Sequence, residues 1–150
     1  MLQLKDAEHV VALKWSAPEG TDIEYEDMCQ FADTFNVIDN SGQPVRCHKN
    51  GGRGYISPWI AVYPQHDLRV WTLLEDGKYD EAQAEKDHVG SVLGPWLAKT
   101  SAKSGGYRQG KGLMEAMGNS AGPTRPPTLR CSEDEIVEAK GVLNELGWTL

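Results

Sequence analysis

The sequence predicts an α/β fold in which about three parallel strands with their crossover helices lead into an all-helical remainder. Three observations carry this. Short apolar runs at His9–Trp15, Asn36–Asp39 and Arg53–Ser57 are separated by stretches with helical spacing. That alternation of strand and helix is the signature of parallel βαβ units. From Pro64 onward apolar residues recur only at helical spacing, between start and stop signals for helices. The expected organisation is therefore two regions, 1–62 and 63–150.

The run His9-Val10-Val11-Ala12-Leu13-Lys14-Trp15 ends at the turn cluster Ser16-Ala17-Pro18-Glu19-Gly20. An unbroken apolar run bounded by a turn reads as a strand buried on both faces. Residues 1–8 read as the last turns of a preceding helix. Thr21 with Glu24 has the spacing of a capping box, and Met28, Phe31, Ala32 and Phe35 follow at helical spacing, which predicts a helix over 22–35. Asn36–Asp39 is the second strand. Pro44 suits the first turn of a helix, and Asn50-Gly51-Gly52 stops it. Arg53–Ser57 is the third strand.

In the second region Pro64 opens a helix with Leu68, Trp71 and Leu74 on one face, ended by Gly77. A longer helix begins near Tyr79 and carries Ala82, Val89, Leu93, Trp96 and Leu97, with Gly94-Pro95 expected to kink it. Ser104-Gly105-Gly106 breaks the pattern before a helix over 107–117. Gly122 to Pro127 reads as an extended crossing. The last helix starts at a second capping box, Ser132 with Glu135, and buries Ile136, Ala139, Leu143 and Leu146.

With 150 residues there is room for one domain with a real core, and 39% hydrophobic and 25% charged residues are ordinary for a soluble protein. A net charge of −7 argues against nucleic acid or an anionic membrane as the main partner. No apolar run approaches the roughly 18 residues of a membrane span. The first residues lack the long apolar core of a signal peptide. Three widely spaced cysteines suggest no disulfide framework, so a reduced, cytoplasmic protein is the expectation.

Each strand ends in a functional-looking group: Lys14 with Ser16, then Asp39-Asn40-Ser41, then Ile56-Ser57. Sites of parallel α/β folds lie at the carboxyl ends of strands. Lysine seldom sits in a buried strand without a partner or a task. In a dry site an amine is driven toward its neutral, nucleophilic form, because the ammonium loses its hydration. The plain alternative is a lysine that marks the strand's end and reaches solvent along its stem.

The order of Val-Val-Ala-Leu-Lys-Trp, Val-Ile-Asp-Asn, Gly-Gly-Arg-Gly-Tyr-Ile-Ser and a late Thr-Arg-Pro-Pro before a capped helix resembles the dihydrodipicolinate synthase / N-acetylneuraminate lyase family, in its C-terminal half. The resemblance implies the C-terminal part of a (β/α)8 barrel, with strands equivalent to the sixth to eighth, followed by a helical extension. It implies 2-keto-acid lyase, aldolase or dehydratase chemistry through a lysine Schiff base, with Lys14 as the nucleophile. Ile56 then lines the pocket of a small keto acid such as pyruvate, with Ser57, Asn40 and Ser16 as further substrate-binding residues. No metal or organic cofactor is implied.

A whole barrel of this kind takes about 250 residues and eight strands. The carboxylate-gripping loop and the proton-relaying tyrosine of the family belong to the five strands outside this sequence, and none of Tyr25, Tyr55, Tyr63, Tyr79 and Tyr107 matches that tyrosine's motif. Asn40 and Ser41 replace the family's usual acidic pair, and Lys-Trp-Ser replaces Lys-Glu or Lys-Asp. The expectation is a truncated gene product, a split half or part of a longer reading frame, which self-associates or pairs with a missing N-terminal half. The competing expectation is a non-catalytic α/β–helical scaffold. Gly105 to Gly112 is one residue from a phosphate-binding loop but lacks the preceding strand and the hydroxyl after its lysine. Lys99, Lys103, Arg108 and Lys111 read as a solvated helix face. Cys47-His48 with Cys29, His66 or Cys131 lacks zinc spacing, and Trp71, Tyr79 and Trp96 read as core.

Overall fold

Two short, largely apolar stretches form the sheet. The computed structural model describes residues 9–16, 19–20, 23–104 and 107–149. The expected helix end at 1–8, the Thr21 cap and the Gly105-Gly106 break lie outside them. β1 (Ala12–Trp15) pairs in parallel with β2 (Asn36–Asp39), with Leu13 beside Val37 and Lys14 beside Ile38. The third strand is reduced to one parallel bridge, Asp39 with Tyr55. It is held by Asp39 N donating to Gly54 O at 2.9 Å and Ile56 N donating to Asp39 O at 2.8 Å.

The first helix is shorter than its periodicity predicts. α1 (Tyr25–Cys29) starts where Glu24 N donates to the Asp27 carboxylate at 2.8 Å, and from Gln30 the chain continues as turns to Phe35. Phe31 N reaches Met28 O and Ala32 N reaches Cys29 O, the tight spacing that ends an α-helix. α2 (Pro44–Lys49) opens on its proline and stops at Asn50, as the sequence indicates.

The chain divides into two compact units, Met1–Ser57 and Pro58–Leu150. Tyr25, Cys29, Val37 and Cys47 form the core of the first, against one face of the sheet. Gly52 permits this packing, since a Cβ there would stand 2.2 Å from Cys47 Sγ and 2.9 Å from Val37 O. The other face is open, so β1 is not covered on both sides. Lys14, which lies on that face, is exposed. Among the described residues no further strand shields that face.

The second unit comprises α3 (Pro64–Glu75), α4 (Tyr79–Ser104), α5 (Tyr107–Ala116) and α6 (Glu133–Glu145). α4 continues through Pro95. Val62, Val89, Leu93, Leu113, Leu143 and Trp148 anchor the core, so the segment just before Pro64 packs with the helices. α3 buries His66, Asp67, Val70 and Leu74, whereas Leu68 is exposed, a face rotated from the expected one. The His66 ring lies 5.5 Å from Trp148, which itself stacks on Tyr63 at 5.1 Å, and this anchoring turns Leu68 outward.

Arg108 is also corrected: it is 2% exposed rather than part of a solvated face. Its Nη2 and Nη1 donate to Glu135 at 2.5 and 3.3 Å, Nε to Leu129 O at 3.1 Å, and the remaining donors to Thr100 O and Arg130 O. Ser132 Oγ accepts from Glu135 N at 3.2 Å while Ser132 N donates to the Glu135 carboxylate at 2.8 Å, the expected capping box. One glutamate therefore caps α6 and neutralises a buried arginine. Of the other cations in the expected cluster, Lys99 pairs with Glu138 and Lys111 donates to three carbonyls from Ala121 to Pro123. No described helix is long and apolar enough to cross a membrane.

Candidate active site

Partners in a parallel ladder share a face. Val37 and Asp39 are fully buried, with Leu13 and Trp15 half-buried beside them, facing the helices. Lys14 and Ile38 lie on the opposite, open face. Gly54 completes their row: a Cβ built on it would stand 3.3 Å from Ile38 Cγ1. The third segment thus offers no side chain at this level, and the Ile38 side chain packs closely against its backbone. Gly54 belongs to the Gly-Tyr-Ile-Ser motif, which by itself gives the glycine no role, and only the register between segments reveals its place.

The expected strand-end residues do gather at the carboxyl edge of the sheet. Asn40 N donates to Trp15 O at 2.8 Å, continuing the ladder beyond the strands. Asn40 Nδ2 donates to Ser16 Oγ at 2.8 Å, and Ser16 Oγ donates to Asn40 O at 3.0 Å. Ser16 and Asn40 are therefore brought together and occupy one another. Ile56, 47% exposed, follows the Tyr55 bridge at the same edge, with Ser57 half-buried next to it. Lys14, by contrast, has its side chain in water rather than in a dry site.

Asp39, grouped by sequence with the strand-end residues, is instead a structural clamp. One carboxylate oxygen accepts from Tyr25 Oη and Ser41 N, both at 2.8 Å, and the other from Gln43 N at 2.8 Å. Burial, together with hydrogen bonding to Cys47 and Asp39, pushes the Tyr25 phenol far above its ordinary range. Burial likewise raises the Cys29 thiol to about 11 and drives Cys47 upward. The interior beneath the site thus holds neutral donors around one carboxylate. At its outer edge the Arg46 guanidinium pairs with Glu24 at 2.9 Å and with Glu26, lowering the Glu26 carboxyl. Among the described residues no group of three or more His, Cys, Asp or Glu side chains is placed to hold a metal ion.

Neither a protein-family model nor a curated protein matches the chain. Among solved structures, dihydrodipicolinate synthase from Aquifex aeolicus aligns with 95% of this chain at a TM-score of 0.72 and 17% identity. Another dihydrodipicolinate synthase aligns with 93% at 0.65 and 20% identity. A putative dihydrodipicolinate synthase family protein from Coccidioides immitis aligns with 93% at 0.63 and 19% identity. The chain covers 47%, 46% and 46% of these three, in that order, and so spans about half their length. The fold class is thereby established: an unclosed part of a (β/α)8 barrel with a helical extension.

Proposed function

We propose that this chain supplies the nucleophile-bearing part of a Schiff-base-forming 2-keto-acid lyase or aldolase of the dihydrodipicolinate synthase kind. Lys14 attacks the keto carbon of a small acid such as pyruvate. Loss of water from the carbinolamine leaves an iminium, an electron sink beside which a C–C or C–O bond breaks or forms. Ile56 and Ser57 shape the pocket, while Asn40 and Ser16 turn from each other to meet the substrate's oxygens. The supporting observation is the position of Lys14, near the carboxyl end of a parallel strand, on the open face, in one row with Ile38 and Gly54.

Nucleophilicity requires a neutral amine, which proteins obtain by excluding water around it. In this reading a covering surface, from further barrel strands or from a second copy, completes the site around the exposed Lys14. The test is reduction with borohydride in the presence of pyruvate. It is run on the purified chain and on the chain recovered from its native cells with whatever it carries. A carboxyethyl adduct mapped to Lys14, absent in Lys14→Arg, is the expected result for the completed assembly, with little in the purified chain. Absence of the adduct from both preparations refutes the reading. The second reading, a non-catalytic scaffold, is favoured by the mutual hydrogen bonding of Ser16 and Asn40, which leaves the edge satisfied without a ligand.

A further inference from the structure

Three elements of the helical unit meet at His66, in the first turn of α3. The residue is 5% exposed, its ring lies 5.5 Å from Trp148 beyond α6, and its Nδ1 lies 3.5 Å from Glu85 Oε1 on α4. Nδ1 is nevertheless a buried atom without a hydrogen-bond partner among the described residues. The carboxylate is near enough for an ion pair but not aligned for a hydrogen bond. Its other oxygen faces Arg69 Nε at 3.3 Å, and the Arg69 side chain is exposed. Among the described residues Glu85 is thus the charged group in contact with the imidazole, with Arg69 behind it. Asp67, next along α3, is buried too, and the remaining neighbours, Trp148 and the Tyr63 ring stacked on it, are aromatic.

A neutral imidazole serves this place poorly. With its proton on Nε2, the Nδ1 lone pair faces a carboxylate and stays unsatisfied out of water, a costly arrangement. With the proton on Nδ1, the link to Glu85 is that of a neutral donor. The imidazolium alone brings both a donor and a charge, and hydrogen bonds to ionised groups are the stronger ones. Arg69 stays cationic at every working pH, so Glu85 keeps one partner throughout. Histidine is the side chain whose charge changes between about pH 5 and 8. The contact therefore has a fixed half and a switchable half.

We propose that proton uptake by His66 latches the start of α3, with the Trp148 ring beside it, onto α4 through Glu85, and that proton loss slackens the latch. The tie is tight in mild acid and loose in mildly alkaline solution. It lies wholly within the helical unit and is independent of the Schiff-base chemistry at Lys14.

Urea unfolding of the full chain, His66→Phe, Glu85→Gln and the double variant gives the coupling between the two side chains as a double-mutant cycle. Phenylalanine keeps a ring against Trp148 and removes both nitrogens. The coupling is expected to be about tenfold in the unfolding equilibrium constant at about pH 5.5, and about twofold or less at about pH 8. Equal coupling at the two pH values, or none in acid, overturns the proposal. A second measurement needs only Glu85→Gln and does not depend on the double variant folding. Hydrogen exchange of the Leu68 to Val70 amides, taken as the ratio of variant to parent, cancels the intrinsic effect of pH, and the lost Arg69 contact enters equally at both values. That ratio is expected to be about fivefold larger at about pH 5.5 than at about pH 8, and a ratio that does not change with pH refutes the latch.

Discussion

Replacing Arg108 by methionine isolates the contribution of the buried ion pair that ties α4, α5 and α6 together. The substitution keeps roughly the side chain's length but removes all five donors. Glu135, 2% exposed, loses its counter-charge, and the carbonyls of Leu129, Thr100 and Arg130 lose their donors. Breaking a buried pair from one side costs about 3–5 kcal/mol. Each abandoned carbonyl adds about 1–3 kcal/mol, partly overlapping, because relaxation serves several groups together. A loss of about 4 kcal/mol or more is expected, against a total stability of about 5–15 kcal/mol for an ordinary domain.

Urea unfolding followed by tryptophan fluorescence measures this loss, since Trp59, Trp71, Trp96 and Trp148 all belong to the helical unit. At a slope of about 2 kcal/mol per molar urea the midpoint falls by about 2 M. Arg108→Met combined with Glu135→Leu removes the stranded charge and is expected to recover part of the loss, despite forfeiting the Glu135 cap contact. A single variant within about 1 kcal/mol of the parent, or a double variant no better than the single, refutes the account.

Two further outcomes follow from the first unit. Gly52→Ala forces a methyl into the Cys47 sulfur and the Val37 carbonyl, and a cost of about 1–3 kcal/mol is expected in denaturant unfolding monitored by Trp15 emission in a variant lacking the other tryptophans. Cys47→Ala relieves only the sulfur clash, so full rescue by it contradicts the geometry. The second outcome concerns alkaline pH. Cys29 holds its proton more tightly folded, at about 11, than at its ordinary value of 9.0. Its contribution is complete below about pH 9 and is lost as pH rises toward about 11, with Cys47 and Tyr25 shifted in the same direction. Unfolding midpoints that stay level across that window contradict the assignment.

How much of this was legible depends on whether a feature is local. Asn36–Asp39 and Pro44–Lys49 are read correctly because strand propensity, a proline at the first turn and an asparagine–glycine stop act within a few residues. The Ser132–Glu135 capping box is equally local. Arg53–Ser57 has strand propensity, but a strand needs a partner on each residue, and only Tyr55 finds its bridge here. The face of α3 and the burial of Arg108 are set by residues far along the chain, Trp148 and Glu135, at positions that no helical spacing connects. Within the candidate site, the convergence of Ser16 and Asn40 follows from the parallel order of strands. The exposure of Lys14 does not, because burial depends on what lies across the open face.

The Asp39 clamp bears on how any covering surface would arrive. A carboxylate gripping a phenol and two backbone amides fixes the loop from Asp39 to Gln43 before anything is docked. The rim carrying Asn40 is therefore preorganised, and little ordering entropy remains for an incoming subunit to offset. Were the site completed by a partner as proposed, association would resemble a rigid fit, with encounter frequency and surface shape, rather than slow loop rearrangement, governing its speed.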